Sequence, residues 1–231
     1  MGFLILSGAR NAHLKEKANS NSKMTPLEKA LKYGGRILEI LSPHCERIEL
    51  AGSVRRGKSE VNDIELVCIP KRSQDLLGTS ADVCEGFINA VNRFEKVRGE
   101  PTGKLTRRVL PNTGGVEMDI FIANADNWGW IMALHTGSAD FAQVVLLGAL
   151  KRSGLGAVDG YIYNYREDCL NPKLVKVPDE AEFFEMIGLP FIDPRSRMGD
   201  YASLKKMLLQ PAENDFAEPL QNPCTPNDGG A

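Results

Sequence analysis

Apolar residues recur at helical spacing at Leu27, Leu31, Ile37, Leu38 and Leu41, a stripe that predicts an amphipathic helix ending near Ser42. TPLE begins it, with Thr25 as N-cap, Pro26 at the first helical position and Glu28 three residues after the cap. The period then changes. CERIELAG alternates around Ile48 and Leu50 like a half-buried strand, and DIELVCIP is nearly continuously apolar, as a central strand is. ADVCEGFINAVNRF returns to helical spacing at Val83, Phe87, Ile88 and Val91. KLTRRVLP and GGVEMDIFIAN alternate on either side of the turn cluster PNTGG, which predicts an antiparallel pair. The order helix–strand–strand–helix–strand–strand gives an α+β sheet with helices on one face.

After Asp126 the character changes. In GWIMALHTGSADFAQVVLLGALKRSG, Ser138 is a candidate N-cap for a helix with Phe141, Val144, Val145 and Leu150 at helical spacing. YIYN and the stretch from Asp168 to Val177 read as short strands, and DEAEFFEMIGLP as a helix stopped by Gly188 and Pro190. Polar, aperiodic residues precede Thr25, and a tail rich in Pro, Asn, Asp and Gly follows Leu208. The expected organisation is a disordered leader (1–24), an α+β domain (25–125), a small α+β C-terminal subdomain (126–207) and a disordered tail (208–231).

Composition narrows the classes. With 28 basic and 30 acidic residues the formal charge is -2, so a polyanion must be held by a local basic patch. Five scattered cysteines lack metal-ligand spacing and read as reduced thiols, and no apolar run approaches the roughly 20 residues that span a bilayer. The expectation is an intracellular, cytoplasmic monomer without membrane attachment.

The candidate chemistry lies in AGSVRRGKSEVNDIEL. Asp63 and Glu65 are two apart on a predicted strand and share a face; Asp119 enters another apolar strand at a similar place. If the strands are neighbours, three carboxylates meet, and divalent cations with a preference for hard oxygen ligands, magnesium or manganese, relieve their repulsion. Gly52 and Ser53 allow close approach of a phosphate, and one of Arg55 and Arg56 can reach its oxygens while the other pairs with an acid. Lys104, Thr106 and Arg108 share a strand face, which either meets a nucleic-acid backbone or is simply solvated.

GSVRRG followed by NDIE and VEMDIF resembles the nucleotidyltransferase superfamily of DNA polymerase beta. The segment WIMALHTGSADF and the segment EAEFFEMIGLPFIDPRSR are similar to family X DNA polymerases within it, so the likeness covers roughly Thr25 to Arg197. The resemblance implies a palm domain for 25–125 and a nucleotide-binding, thumb-like subdomain for 126–207. It implies two metal ions held by Asp63, Glu65 and Asp119, with Asp119 also helping to deprotonate the attacking hydroxyl. Ser53 and Arg56 would bind the triphosphate, and His135, Thr136, Gly137 and Ser138 would border the sugar, His135 being otherwise an ordinary half-buried histidine. Implied partners are a deoxynucleoside triphosphate and weakly bound DNA, gapped or primer–template, contacted by Lys104 and Arg108; the implied activity is low-fidelity gap filling in DNA repair. The chain departs from the pattern at Glu65, where aspartate is usual, at Glu117, where an arginine commonly orients the catalytic acid, and at Ala142 and Leu146, where base- and template-inspecting residues are frequent. The region before Thr25 is too short for the family's lyase domain and helix-hairpin-helix elements, which suggests a minimal, viral or phage-type form. Transfer to a small molecule, a protein or an RNA end is the alternative.

Overall fold

The first apolar stripe forms helix α1 (Leu27–Leu41), which buries Ala30, Ile37 and Leu41, whereas Leu31, expected on the same face, is exposed. The structure, a computed structural model, describes residues 24–73, 82–166 and 168–198; the expected tail, and the expected leader apart from Met24, lie outside them. Thr25 does not cap α1. Thr25–Pro26 is a short strand, β1, antiparallel to β3 (Glu60–Val61), and the Leu27 amide donates to the Ser59 carbonyl at 2.9 Å. A first-turn donor that a threonine hydroxyl was expected to satisfy thus finds a backbone acceptor from the segment before the next strand.

The alternating segments become β2 (Cys45–Leu50), β4 (Asp63–Pro70), β6 (Leu105–Val109) and β7 (Glu117–Ile122), which with β5 (Glu95–Arg98) make a five-stranded mixed sheet in the order β2-β4-β7-β6-β5. β4 and β7 are parallel and the other neighbours antiparallel, including the expected β6–β7 pair. Edge strand β5 has no hydrophobic alternation: its one apolar side chain, Val97, is 46% exposed.

Alternation along β4 sends Ile64, Leu66 and Cys68 to one core, shared with Met118 and Ile120 of β7, with α1, and with helix α3 (Glu85–Val91). Val67, Ile69 and Phe121 face a second core. The second core is built from α4 (Trp128–Thr136), a π-helical stretch Phe141–Leu146 continuing as α5 (Leu147–Arg152), and α6 (Glu180–Met186). Helices therefore cover both faces, not one. The expectation holds for the helices of the first half alone; the reverse face is apolar enough at Val67, Ile69 and Phe121 to demand a cover, which the second half supplies.

Ser138 caps as expected, its Oγ accepting from the Phe141 amide at 3.2 Å. Strands β8 (Leu155–Val158), β9 (Tyr161–Asn164) and β10 (Lys173–Val175) form an antiparallel sheet of their own, and Gly188, at φ +70, follows the end of α6. The four described cysteines are free thiols. No described helix is long and apolar enough to cross a membrane.

Candidate active site

Asp63 and Glu65 occupy the start of β4 on the face that, further along, carries Val67 and Ile69 into the second core. The parallel register with β7 sets Asp63 beside Glu117 and Glu65 beside Asp119. Two adjacent strands thus present four acidic residues on one face. Carboxylates at that density repel one another, and a cation among them relieves the repulsion.

One cation comes from β6. Arg107 lies opposite Asp119 in the antiparallel register and is 11% exposed. Its Nε and Nη2 each donate to one oxygen of Asp119 at 2.5 Å, Nη1 donates to Glu117 Oε2 at 3.0 Å, and Nη2 stands 3.7 Å from Asp63 Oδ2. Burial pulls the arginine's pKa down, but the hydrogen bonds and charges of Asp119, Asp63 and Glu117 outweigh it and hold the pKa above the ordinary value. Asp119, at 1% side-chain exposure, is consequently fixed by a planar fork. Arg107 was absent from the expected site because its partners are visible only once β6 and β7 are in register.

Glu65, on the same face, lies against the glycine-serine segment. That segment is a one-turn helix, α2 (Gly52–Arg55), and the Ala51 amide before it donates to the Glu65 carbonyl at 2.8 Å. Gly52 is fully buried at φ +59, and a Cβ added there would collide with the Glu65 carboxylate. Glycine is required twice over, by backbone conformation and by contact.

Both arginines turn to the protein, Arg55 to an acid and Arg56 to a backbone carbonyl. Arg55 makes a bidentate pair with Glu180 of α6, at 3.0 and 2.8 Å, and its Nη1 also donates to Thr136 Oγ1 at 2.8 Å. Glu180 in turn accepts from Arg197 Nη1 at 2.6 Å, and Arg197, fully buried, donates twice to the Ile192 carbonyl. The guanidinium of Arg55 is therefore committed to the protein instead of standing ready for a phosphate. Arg56 donates to the Thr136 carbonyl at 2.6 Å. Both arginines of α2 and its C-cap thereby fasten the GSVRR segment to the HTGS segment some eighty positions later. Ser53 is half-buried at the start of α2. His135 stacks on Phe121, ring centroids 3.5 Å apart, Gly137 packs on the Phe141 ring, and the Ser138 amide donates to the Arg197 carbonyl at 3.4 Å.

Comparison with known proteins finds no family model that matches the sequence and no curated protein similar to it. The site therefore rests on its own geometry.

The expected basic strand face is not formed. Thr106 and Arg108 are fully buried, Arg108 donating to the carbonyls of Arg98, Gly99 and Arg107, and Lys104, before β6, pairs with Asp159 at 2.9 Å. Thr106 and Arg108 point to the sheet face opposite Arg107, where both donate to the Gly99 carbonyl and Arg108 also to Asn92 Oδ1.

Among the described residues no three His, Cys, Asp or Glu side chains are grouped tightly enough to hold a metal ion in these positions. Asp119 is turned to Arg107 and Glu65 lies against Gly52. The donor set nevertheless fits hard divalent cations: it is all carboxylate oxygen, on one face, with four acids against one arginine.

Proposed function

We propose that the chain is a metal-dependent nucleotidyltransferase of the family X DNA polymerase type, adding a deoxynucleoside monophosphate to a DNA 3′-hydroxyl. The observation that carries the reading is the parallel β4–β7 register, which sets Asp63, Glu65 and Asp119 on one face beside the buried Gly52 turn. Transfer of the α-phosphoryl group to a hydroxyl, with pyrophosphate leaving, calls for carboxylates on neighbouring strands that would hold metal, and Gly52 gives the Glu65 carboxylate the room it occupies there.

Asp63, Glu65 and Asp119 would hold magnesium or manganese, which when bound would neutralise phosphate charge and acidify the attacking hydroxyl. Ser53 and Arg56 would bind the triphosphate, and Arg55 would position them, since it ties α2 to α6 through Glu180. The HTGS segment, held by Arg55 and Arg56, forms the adjoining wall where a sugar would rest. An enzyme of this kind works inside the cell on nucleotide pools.

Primer extension on gapped and recessed DNA, with each nucleoside triphosphate supplied separately and with magnesium or manganese, tests the reading. Extension is expected, and Asp119→Ala is expected to abolish it while the circular-dichroism spectrum is retained. Absence of extension with both metals, or full activity of Asp119→Ala, overturns it. A second reading, transfer to a non-DNA acceptor, is favoured by the burial of Arg108, which removes one expected DNA contact from a chain of formal charge -2. Labelled nucleotide transferred to a small molecule, protein or RNA end, without DNA extension, would select it.

A further inference from the structure

Nη2 of Arg107 stands between Asp119, which it contacts, and Asp63, 3.7 Å away. A cation coordinated by both Asp63 and Asp119 would have to enter that same space. We propose that Arg107 is a resident counter-cation, a positioning residue that holds Asp63, Glu117 and Asp119 together before metal arrives and gives up the space between Asp63 and Asp119 when it binds. The inference rests on the metal-dependent reading above and deepens it.

Three features support displacement over a fixed role. A guanidinium cannot lose its charge by deprotonation, so it cannot accommodate a second cation by becoming neutral. The fork donates to both oxygens of Asp119, so a cation drawing on that carboxylate would compete with it for the same oxygens. Glu117, at 36% side-chain exposure and at the outer edge of the cluster, offers the guanidinium a retreat: Nη1 is already bonded to it, so the arginine can swing toward solvent without losing every carboxylate. Arg107 would thus set the affinity of the site for divalent cations below what its carboxylates alone would give. It would also keep the apo protein from accumulating unpaired charge on two buried strands.

The test is Mn²⁺ binding to the full chain, followed by the electron paramagnetic resonance of free Mn²⁺, for the wild type, Arg107→Gln and Arg107→Lys. Arg107→Gln is expected to bind Mn²⁺ tighter by about tenfold or more, because two charge-assisted hydrogen bonds to Asp119 no longer compete. Arg107→Lys, a point charge that cannot span both oxygens, is expected to fall between. In chelator, Arg107→Gln should melt below the wild type and gain more on adding Mn²⁺. Wild-type binding with equal or weaker binding by a folded Arg107→Gln overturns displacement and leaves the metal reading standing. If the glutamine variant does not fold, equal or weaker binding by Arg107→Lys overturns it in the same way. No Mn²⁺ binding by any of the three, even at millimolar concentration, overturns the metal reading and this inference together.

Discussion

Removing Glu180 isolates the cost of the charge network that joins the two halves of the chain. In Glu180→Ala, Arg197 loses the carboxylate at 2.6 Å and Arg55 loses both hydrogen bonds of its bidentate pair. Two like charges are left facing the gap. Arg197 is fully buried, burial already pushes its pKa down, and the nearby Arg55 pushes the same way, so its charge has least relief to draw on. Breaking a buried pair by deleting one partner costs about 3–5 kcal/mol. Arg55 moderates this, because a cavity of about 290 Å³ lined by Arg47, Arg55, Trp128 and Glu180, among others, lets water reach its guanidinium. It also keeps Thr136 Oγ1. The loss is therefore placed near the lower end, about 3 kcal/mol, or a fall in melting temperature of roughly 6–12 °C for a domain of this size. Urea unfolding measures it as a lower midpoint at unchanged slope. Arg197→Met in the Glu180→Ala background should recover much of the loss, since the unpaired buried charge is then gone. A loss under about 1 kcal/mol, the range of exposed ion pairs, or no recovery in the double variant, would refute the reasoning.

Gly52→Ala forces a side chain into a left-handed backbone and against Glu65, and should cost at least about 2 kcal/mol and abolish nucleotide binding; wild-type melting and calorimetric binding would refute this. Arg108→Met should lower stability by about 1–3 kcal/mol through its lost carbonyl contacts while leaving the salt dependence of any DNA binding unchanged. A log–log salt slope reduced by about one would instead place Arg108 at a phosphate.

Hydrophobic period is a local property, and what depends on it was legible. The helical stripe of α1 and the alternation of β6 were readable because burial follows the period of the element itself, and β4 because its near-continuous apolar run is that of a strand buried on both faces. β5 was not, since an edge strand with an exposed Val97 has no buried face to mark it. Nor was β1: Pro26 reads equally well as the first helical residue, and only the antiparallel partner Glu60–Val61 decides otherwise. The same distinction runs through the site. Asp63, Glu65 and Gly52 announce themselves because they interrupt an apolar pattern or sit in one short segment. Glu180 does not, being one of several acids at the start of an acidic helix, and its role exists only through Arg55, 125 positions earlier.

Glu117 shows how a long-range pairing reverses a local conclusion. On sequence alone it adds negative charge beside Asp119, where the resembled family commonly carries an arginine, and so argues against a well-oriented acid. In the structure a guanidinium is present after all, but it arrives from the neighbouring strand: Arg107 faces Asp119 across the β6–β7 register and reaches Glu117 with its remaining arm. Glu117 then ceases to be an uncompensated neighbour and becomes the anchor that aims Arg107 at Asp119. Supplying the cation from a hairpin partner rather than from the same strand has a physical consequence. A same-strand arginine two residues away is held to one face at fixed spacing. One placed across the hairpin bonds the partly exposed glutamate with one arm and the buried acid with another, which is the arrangement the proposed displacement would use. The departure that weakened the sequence reading is therefore the feature that makes the site's charge balance adjustable.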